Sequence, residues 1–393
     1  MDLNNLDDLS QQVMERKIML DEDGFQFLNG NHGTGAFDRL QKIDLDGIPK
    51  MKHLFKGVIK PPSLYSLMFL AIGSCPSLKS LFSESIALCM VNLQSLSISN
   101  CEMLEEVVSM DIKENEITQM LEFPKLQTIH LEELRNFRSF RCGSNKTVGE
   151  LNPLFKQVTF PNLELLHISG LGRNVKILDE LRQIRSHKLT ELRVEKLDDV
   201  YILFDFEYKK DDVEIIILGQ LTSLALTSLP DLVHITRMVP KGIYIFENLR
   251  HVLIGVCHNL RYLFSPSMAN SLAALENLWV LGCKELEEII GGQDEDGTSN
   301  TKIVEERTTS RIVFPKLRNL GLLHLDRFRL LSSQNHEFVF PSLEYLHIQN
   351  CPTIAKLCPR QLSVPKLDKV WINFEQSVDI SNFLNLEGIQ VSS

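Results

Sequence analysis

The sequence has no long apolar run and no excess of positive charge. Because no stretch of about eighteen apolar residues occurs, we expect no membrane span. Residues 1–20 show no basic segment followed by an apolar one, which predicts no secretory signal and hence an intracellular location, cytoplasmic or nuclear. The 41 Lys and Arg residues are outnumbered by 51 Asp and Glu residues, and the net charge of −10 argues against nucleic acid as a partner.

Signatures of catalysis and of metal or nucleotide binding are also missing. No C-x-x-C pair is present, which argues against zinc, and the eight cysteines are expected to be free thiols. The sequence has no G-x-x-x-x-G-K-[ST], G-x-S-x-G or H-E-x-x-H motif. Two Asp-Glu-Asp-Gly runs, at 21–24 and 294–297, do not continue into a calcium loop. We therefore expect no enzymatic activity, no cofactor and no metal.

One apolar frame recurs along most of the chain. It has the form L-x-x-L-x-I-x-x-C-x-x-L, and one full copy runs from Leu93 to Leu104. The central apolar position moves by 26 residues between neighbouring copies at 72 and 98, and again between 254 and 280. This period fits leucine-rich repeats of roughly 20–29 residues. Further copies, about a dozen repeats in all, begin at Leu40, Leu67, Leu126, Leu163, Leu189, Leu221, Leu249, Leu275, Leu317, Leu343 and Leu367, with a fragment at Leu386.

Each copy of the frame predicts a short strand followed by a turn. Apolar and polar residues alternate at its centre, so one side of the strand is buried and the other is exposed. Because one repeat cannot bury its apolar face alone, successive strands should pair in parallel. We therefore expect an α/β repeat solenoid. Its form would be a leucine-rich-repeat horseshoe or superhelix, with a concave parallel sheet and an irregular or short-helical convex side.

The solenoid is expected to span residues 37–393. Residues 1–36 do not carry the frame clearly, and we expect them to form an N-terminal cap or a partial repeat. Polar insertions lengthen some repeats near 109–122, 141–157, 205–219 and 290–313. The last insertion is rich in charge, Gly, Ser and Thr, which predicts a mobile loop.

One column of the frame exchanges cysteine for leucine. A catalytic thiol would not tolerate this exchange, whereas a small buried apolar residue would. We therefore interpret the column as part of the core. Its members are Cys75, Cys101, Cys257, Cys283 and Cys351 in five copies, and Leu134, Leu171, Leu197, Leu229 and Leu325 in five others.

The exposed strand positions form a candidate binding surface. In the earlier repeats they carry ordinary polar residues, such as Ser97 and Arg193, whereas in the C-terminal repeats they carry both tryptophans of the chain. An aromatic and apolar patch with a polar rim is typical of protein-binding hot spots. Alternatively, part of the patch packs against the chain's own C-terminal segment. The candidate protein-binding residues of the concave face are His251, Leu253, Asn277, Trp279, Leu281, Leu323, Tyr345, His347, Gln349, Lys369, Trp371 and Asn373.

Units of the form F-P-x-L-x-x-L-x-I-x-x-C-x-x-L give the sequence a family resemblance. The stretches "FENLRHVLIGVCHNLRYLFSPSMANSLAALENLWVLGCKELEEIIGG" and "RIVFPKLRNLGLLHLDRF" are the most telling. Residues 37–393 resemble the leucine-rich-repeat region of plant nucleotide-binding leucine-rich-repeat disease-resistance proteins of the coiled-coil class. The resemblance implies an intracellular immune receptor whose repeats recognise pathogen effectors, or host proteins that effectors modify. In this family the repeats also contact a nucleotide-binding switch domain and hold it inactive.

This chain departs from that family because no coiled coil or nucleotide-binding motif precedes its repeats. We therefore expect a recognition module of plant defense that lacks a nucleotide-binding switch of its own. One alternative is a substrate-recruiting leucine-rich-repeat protein of a ubiquitin ligase, although residues 1–40 show no F-box. Another alternative is a scaffold, or a relic that does not signal.

Overall fold

The computed structural model divides the chain into two compact units. They comprise Met1–Leu197 and Asp198–Ser393. The structure describes residues 18–21, 24–27, 39–56, 64–109, 120–141, 153–172, 175–184, 186–206, 218–237, 245–269, 271–291, 311–373 and 384. The predicted boundary at residues 36 and 37 lies outside the described residues, as does most of each predicted insertion, so the boundary and the insertions stay predictions.

Six five-residue strands form a parallel sheet in the first unit. The elements of the unit are β1 (Ile18–Asp21), β2 (Gly24–Phe27), β3 (Lys42–Asp46), β4 (Phe55–Lys56), β5 (Phe69–Gly73), β6 (Ser80–Ser83), α1 (Glu84–Ala87), β7 (Ser95–Ser99), β8 (Glu106–Ser109), β9 (Leu121–Glu122), β10 (Thr128–Glu132), β11 (Ser139–Arg141), β12 (Val158–Thr159), β13 (Leu165–Ser169), α2 (Ile177–Ile184) and β14 (Glu191–Glu195). The main strands pair in the order β3-β5-β7-β10-β13-β14. Their register is constant, so that the third residue of each strand lies beside the third residue of the next.

The second unit repeats this arrangement. Its elements are β15 (Ile202–Asp205), β16 (Ser223–Thr227), β17 (His234–Arg237), β18 (His251–Gly255), β19 (Tyr262–Phe264), α3 (Pro266–Ala269), β20 (Asn277–Leu281), β21 (Glu288–Ile290), β22 (Arg311–Val313), β23 (Asn319–Leu323), β24 (Glu337–Val339), β25 (Tyr345–Gln349), β26 (Leu362–Ser363) and β27 (Lys369–Asn373). The main strands pair in parallel in the order β16-β18-β20-β23-β25-β27. The register is again constant.

The segments between main strands, which we call the return side, form short strands and helices. Small parallel sheets join β6, β8 and β11, β9 and β12, β15 and β17, β19 and β21, and β22, β24 and β26. β2 pairs antiparallel with β1 and parallel with β4. The longest helix among the described residues, α2, has 8 residues, and none there is long and apolar enough to cross a membrane. One parallel main strand per repeat, with a short return side, confirms the predicted α/β repeat solenoid.

The core lies between the main strands and the return side. In the copy that contains β7, the frame residues Leu93, Leu96 and Ile98 are all 0 % exposed. Burying such a side chain contributes roughly 1.5–3 kcal/mol. Phenylalanines that begin several repeats stack on one another, as Phe314 and Phe340 do with ring centroids 5.5 Å apart. Each repeat therefore obtains its buried surface from its neighbours in the unit.

A left-handed residue follows the main strands in the sequence. Its N–H continues the sheet by one hydrogen bond, as when the Asn100 amide donates to the Glu132 carbonyl at 3.0 Å. Glycine and asparagine tolerate this conformation, whereas a β-branched side chain is strained in it. Val256, with φ of 55°, is the β-branched member of the set. The members are Gly47, Ser74, Asn100, Glu133, Gly170, Lys196, Ser228, Val256, Gly282, His324 and Asn350.

Replacing Val256 by Asn should stabilise the protein by about 1 kcal/mol, because it relieves this left-handed strain. Val256 is 39 % exposed, so the change removes little buried apolar surface. Urea unfolding followed by circular dichroism would measure the gain. The reciprocal control, Asn100→Val, should destabilise by a similar amount. A loss of stability in Val256→Asn would show that packing of the valine outweighs its backbone strain.

Candidate protein-binding face

The outward side chains of the second unit's main strands form one surface, which we call the 223–373 face. In β16, β18, β20, β23 and β25 the residues at the first, third and fifth positions point outward, because the second and fourth positions carry the buried frame residues. In β27, where Val370 and Ile372 are only half-buried, Lys369 and Trp371 are exposed. Constant register aligns the first, third and fifth positions in three rows across the sheet. The first row is Ser223, His251, Asn277, Asn319, Tyr345 and Lys369. The central row is Ala225, Leu253, Trp279, Gly321, His347 and Trp371. The third row is Thr227, Gly255, Leu281, Leu323, Gln349 and Asn373.

All twelve residues predicted from the sequence lie in these rows. They occupy the five strands from β18 to β27 and are contiguous in register. Leu253 is 39 % exposed and Trp371 is 61 % exposed, both high values for large apolar side chains. Isolated exposed apolar residues are ordinary, whereas a contiguous group of them is typical of an interaction site. The part that these residues play in binding stays a prediction.

Trp279 lies flat across the neighbouring strand, over Gly321. A Cβ added to Gly321 would lie 2.1 Å from Cε3 of Trp279, so only glycine leaves room for the indole there. The ring thereby reaches β25, where its centroid is 6.2 Å from that of Tyr345 and 6.5 Å from that of His347. Tyr345 and His347 are themselves 6.1 Å apart. The three rings form an aromatic shelf whose position is fixed by Gly321.

Sequence reasoning did not select Gly321 as a site residue. A glycine at the central outward position of a strand was the available signal, because such a glycine often marks close approach of another group. What the pattern did not show was which group approaches. The structure identifies it as Trp279, from the preceding main strand.

Amide groups in the first row hold one another in place. The Asn319 Nδ2 donates a hydrogen bond to the Asn277 Oδ1. The Asn277 Nδ2 and the His251 Nδ1 are 2.9 Å apart, and since the amide nitrogen is a donor the imidazole nitrogen accepts. The outward side chains of three consecutive strands, two amides and one imidazole, therefore orient one another.

The equivalent surface of the first unit, which we call the 42–195 face, is different. The Lys42 Nζ lies 3.0 Å from the Asp44 carboxylate. The Nδ1 atoms of His130 and His167 are 3.4 Å apart, and burial lowers the pKa of His130, which favours its neutral form. His167 Nε2 in turn lies 3.8 Å from Glu195. Polar side chains here contact one another, and no aromatic shelf forms on the described part of this face.

The column cysteines cap the ends of main strands. All five are at most 1 % exposed. The Cys101 thiol donates to the Ser99 carbonyl at 3.3 Å, and the Cys351 thiol donates to the Gln349 carbonyl at 3.4 Å. Burial raises the pKa of Cys351 to about 11, and a hydrogen bond with Cys283 together with burial raises the pKa of Cys257. Because all five thiols are buried and inaccessible to reagents, the column belongs to the core.

Comparison with protein families identifies a matching family model. The family model described as plant disease resistance protein RPS2-like, leucine-rich repeats, matches residues 3–102 and 144–284. These ranges cover more than half of the chain and include β18 and β20, which carry Leu253 and Trp279. Comparison with curated proteins found no match.

Replacing Gly321 by Ala should displace the Trp279 indole, because the new Cβ would overlap it. The chain has two tryptophans, so Trp371→Phe makes Trp279 the sole emitter. In that background we expect Gly321→Ala to shift the emission to longer wavelength and to increase acrylamide quenching. Gly255→Ala is the matched control, since its Cβ would come no closer than 3.3 Å, to the Thr227 methyl. Equal spectra for the two variants would show that Gly321 does not position the indole.

The Cys351 thiol should make stability depend on alkaline pH. The unfolded chain releases this proton near pH 9.0, whereas the folded chain retains it up to about 11. The stabilisation is therefore complete below pH 9.0 and is lost as the pH rises towards 11. Urea unfolding on both sides of this window should show a smaller loss for Cys351→Ala than for the parent chain. An identical loss in both proteins would contradict the buried, protonated thiol.

Proposed function

The chain belongs to the leucine-rich-repeat family of RPS2-like plant disease resistance proteins, and from this premise we propose that its 223–373 face recognises a pathogen effector or a host protein modified by one. Leucine-rich-repeat regions of this family have a protein-interaction role in plant immunity, and such repeats are generally non-catalytic. Resistance proteins of the nucleotide-binding type are typically intracellular. We propose the same compartment for this chain, where effectors delivered into the host cell are present.

The observation that carries the proposal is the outward aromatic group of the second unit. Trp279 and Trp371, with Tyr345 and His347 between them, lie on three of its main strands. Tryptophan and tyrosine are among the residues most enriched in binding hot spots. Truncating a hot-spot residue to alanine costs roughly 2 kcal/mol or more of binding free energy. Because Trp371 is 61 % exposed, packing of the core does not account for it. It is therefore best explained by contact with another protein.

The first test is to replace Trp371 by Ala and to compare what the full chain retains from infected and uninfected plant tissue. Because Trp371 is 61 % exposed, the free energy of unfolding of the variant should lie within about 0.5–1 kcal/mol of that of the parent chain. Loss of a hot spot should weaken partner binding by roughly tenfold to a hundredfold. Trp279→Ala should do the same, with a larger cost in stability because its ring is packed over Gly321.

The matched control is Phe69→Ala on the 42–195 face. Phe69 is also an outward aromatic of a main strand and is 42 % exposed. The Phe69→Ala variant should retain the same partners as the parent chain. If both tryptophan variants unfold, these residues are structural and the proposal fails. It also fails if Trp371→Ala folds and retains every partner, or if subunits of a cullin ubiquitin ligase are what the parent chain retains.

A further inference from the structure

The two strand faces differ sharply in charge. Each comprises eighteen outward positions, three on each of six main strands. Seven positions of the 42–195 face are charged, and five of these are carboxylates. Only one position of the 223–373 face is charged, and it belongs to Lys369 in β27, the last described main strand. A charged fraction of 23 % across the chain would place about four charges on a surface of this size, so the second face is depleted.

Most apolar side chains on this face lie in other rows than its hydrogen-bonded amides. The apolar strip follows the central and third rows, where Leu253, Trp279, Leu281, Leu323 and Trp371 are outward. The amide strip is the pair Asn277 and Asn319 in the first row, while Gln349 adds an amide in the third row. In the first row, Asn319, Asn277 and His251 are linked by hydrogen bonds across consecutive strands. Side-chain amides offer donors and acceptors without charge, which matches the hydrogen-bonding groups of a peptide main chain.

Charges at the margin of the face do not alter its neutral character. Arg250 and Glu276, which precede β18 and β20, lie 3.5 Å apart and compensate each other. Arg318, Glu344 and Asp368 directly precede β23, β25 and β27 in the sequence. The two negative charges of Glu344 and Asp368 equal in number the two positive charges of Arg318 and Lys369. A cationic partner group placed on the shelf would lose its hydration without gaining an opposite charge, and Lys369, beside Tyr345, is the single outward charge that an anionic group would meet. An uncharged group would not carry this penalty.

We propose that the occupant of the 223–373 face is an uncharged polypeptide segment of the partner that presents an aromatic or leucine side chain. The side chain lies on the shelf of Trp279, Tyr345 and His347, against Trp371. The main-chain amides of the segment pair with the amide strip of the first row. This inference rests on the proposed function and specifies the chemistry of the partner at that same surface.

The test uses tryptophan emission, because both tryptophans of the chain are on this face and report on nothing else. The probes are short synthetic peptides with a central Phe-Leu pair, flanked by Asn in the neutral form, by Lys in the cationic form and by Asp in the anionic form. We expect the neutral peptide to shift the emission and to bind at least as tightly as either charged form. Its Kd should change by less than about twofold between roughly 50 and 500 mM sodium chloride.

Several results would overturn the inference. One is that the neutral peptide causes no change in tryptophan emission. Another is that a charged peptide binds more tightly than the neutral one and that its Kd depends on salt. Tighter binding of a charged peptide would still show that the face binds polypeptides. It would therefore contradict the inferred chemistry of the partner but not the proposed function. Trp371→Ala, followed through the emission of Trp279, should weaken binding of the neutral peptide roughly tenfold to a hundredfold, and Phe69→Ala should leave it unchanged. Unchanged binding to Trp371→Ala would contradict the assignment. Finally, tryptophans already shielded from acrylamide in the free chain would show that its own C-terminal segment or a second copy occupies the face.

Discussion

Constant register between parallel main strands is the constraint on which the described structure depends. Backbone hydrogen bonds fix the third residue of one strand beside the third residue of the next, within each unit. Residues far apart in the chain thereby become neighbours, as Trp279 and His347 do with ring centroids 6.5 Å apart. The register survives changes in repeat length. Asn277 pairs with Asn319 although 42 residues separate them in the sequence.

The end of each main strand explains why cysteine and leucine exchange in one column. A left-handed residue turns the chain there, and the next residue points into the core. Cysteine at that position adds a weak hydrogen bond to a strand carbonyl, as between Cys101 and Ser99. Leucine instead contributes more apolar surface. Both solutions bury a side chain without disturbing the register, so the column tolerates either and provides no accessible thiol for chemistry.

Sequence periodicity was enough to place the main strands and the direction of their side chains. Because apolar residues alternate with others in every copy of the frame, all twelve predicted face residues lie on the outward rows. Periodicity says nothing about where an outward side chain leans. The position of Trp279 over Gly321 depends on a strand 42 residues away, and so do the hydrogen bonds of Asn277. The small return-side sheets were missed for a related reason, since strands of two to four residues carry no periodic signal.

Core and surface are therefore determined by different residues of the same short strands. In β20, Leu278 and Val280 bury their side chains, while Asn277, Trp279 and Leu281 form the surface. Outward residues can change without creating a cavity, so the face is free to vary in chemistry while the register persists. The aromatic shelf is an exception, because Trp279 requires glycine on the next strand and cannot move independently of it. Holding the ring in place removes rotamer freedom before a partner binds, which reduces the entropy lost on association. Under the proposed function, a surface with almost no charge would gain little from long-range attraction, so its affinity would depend on apolar contacts made by side chains that are already held in place.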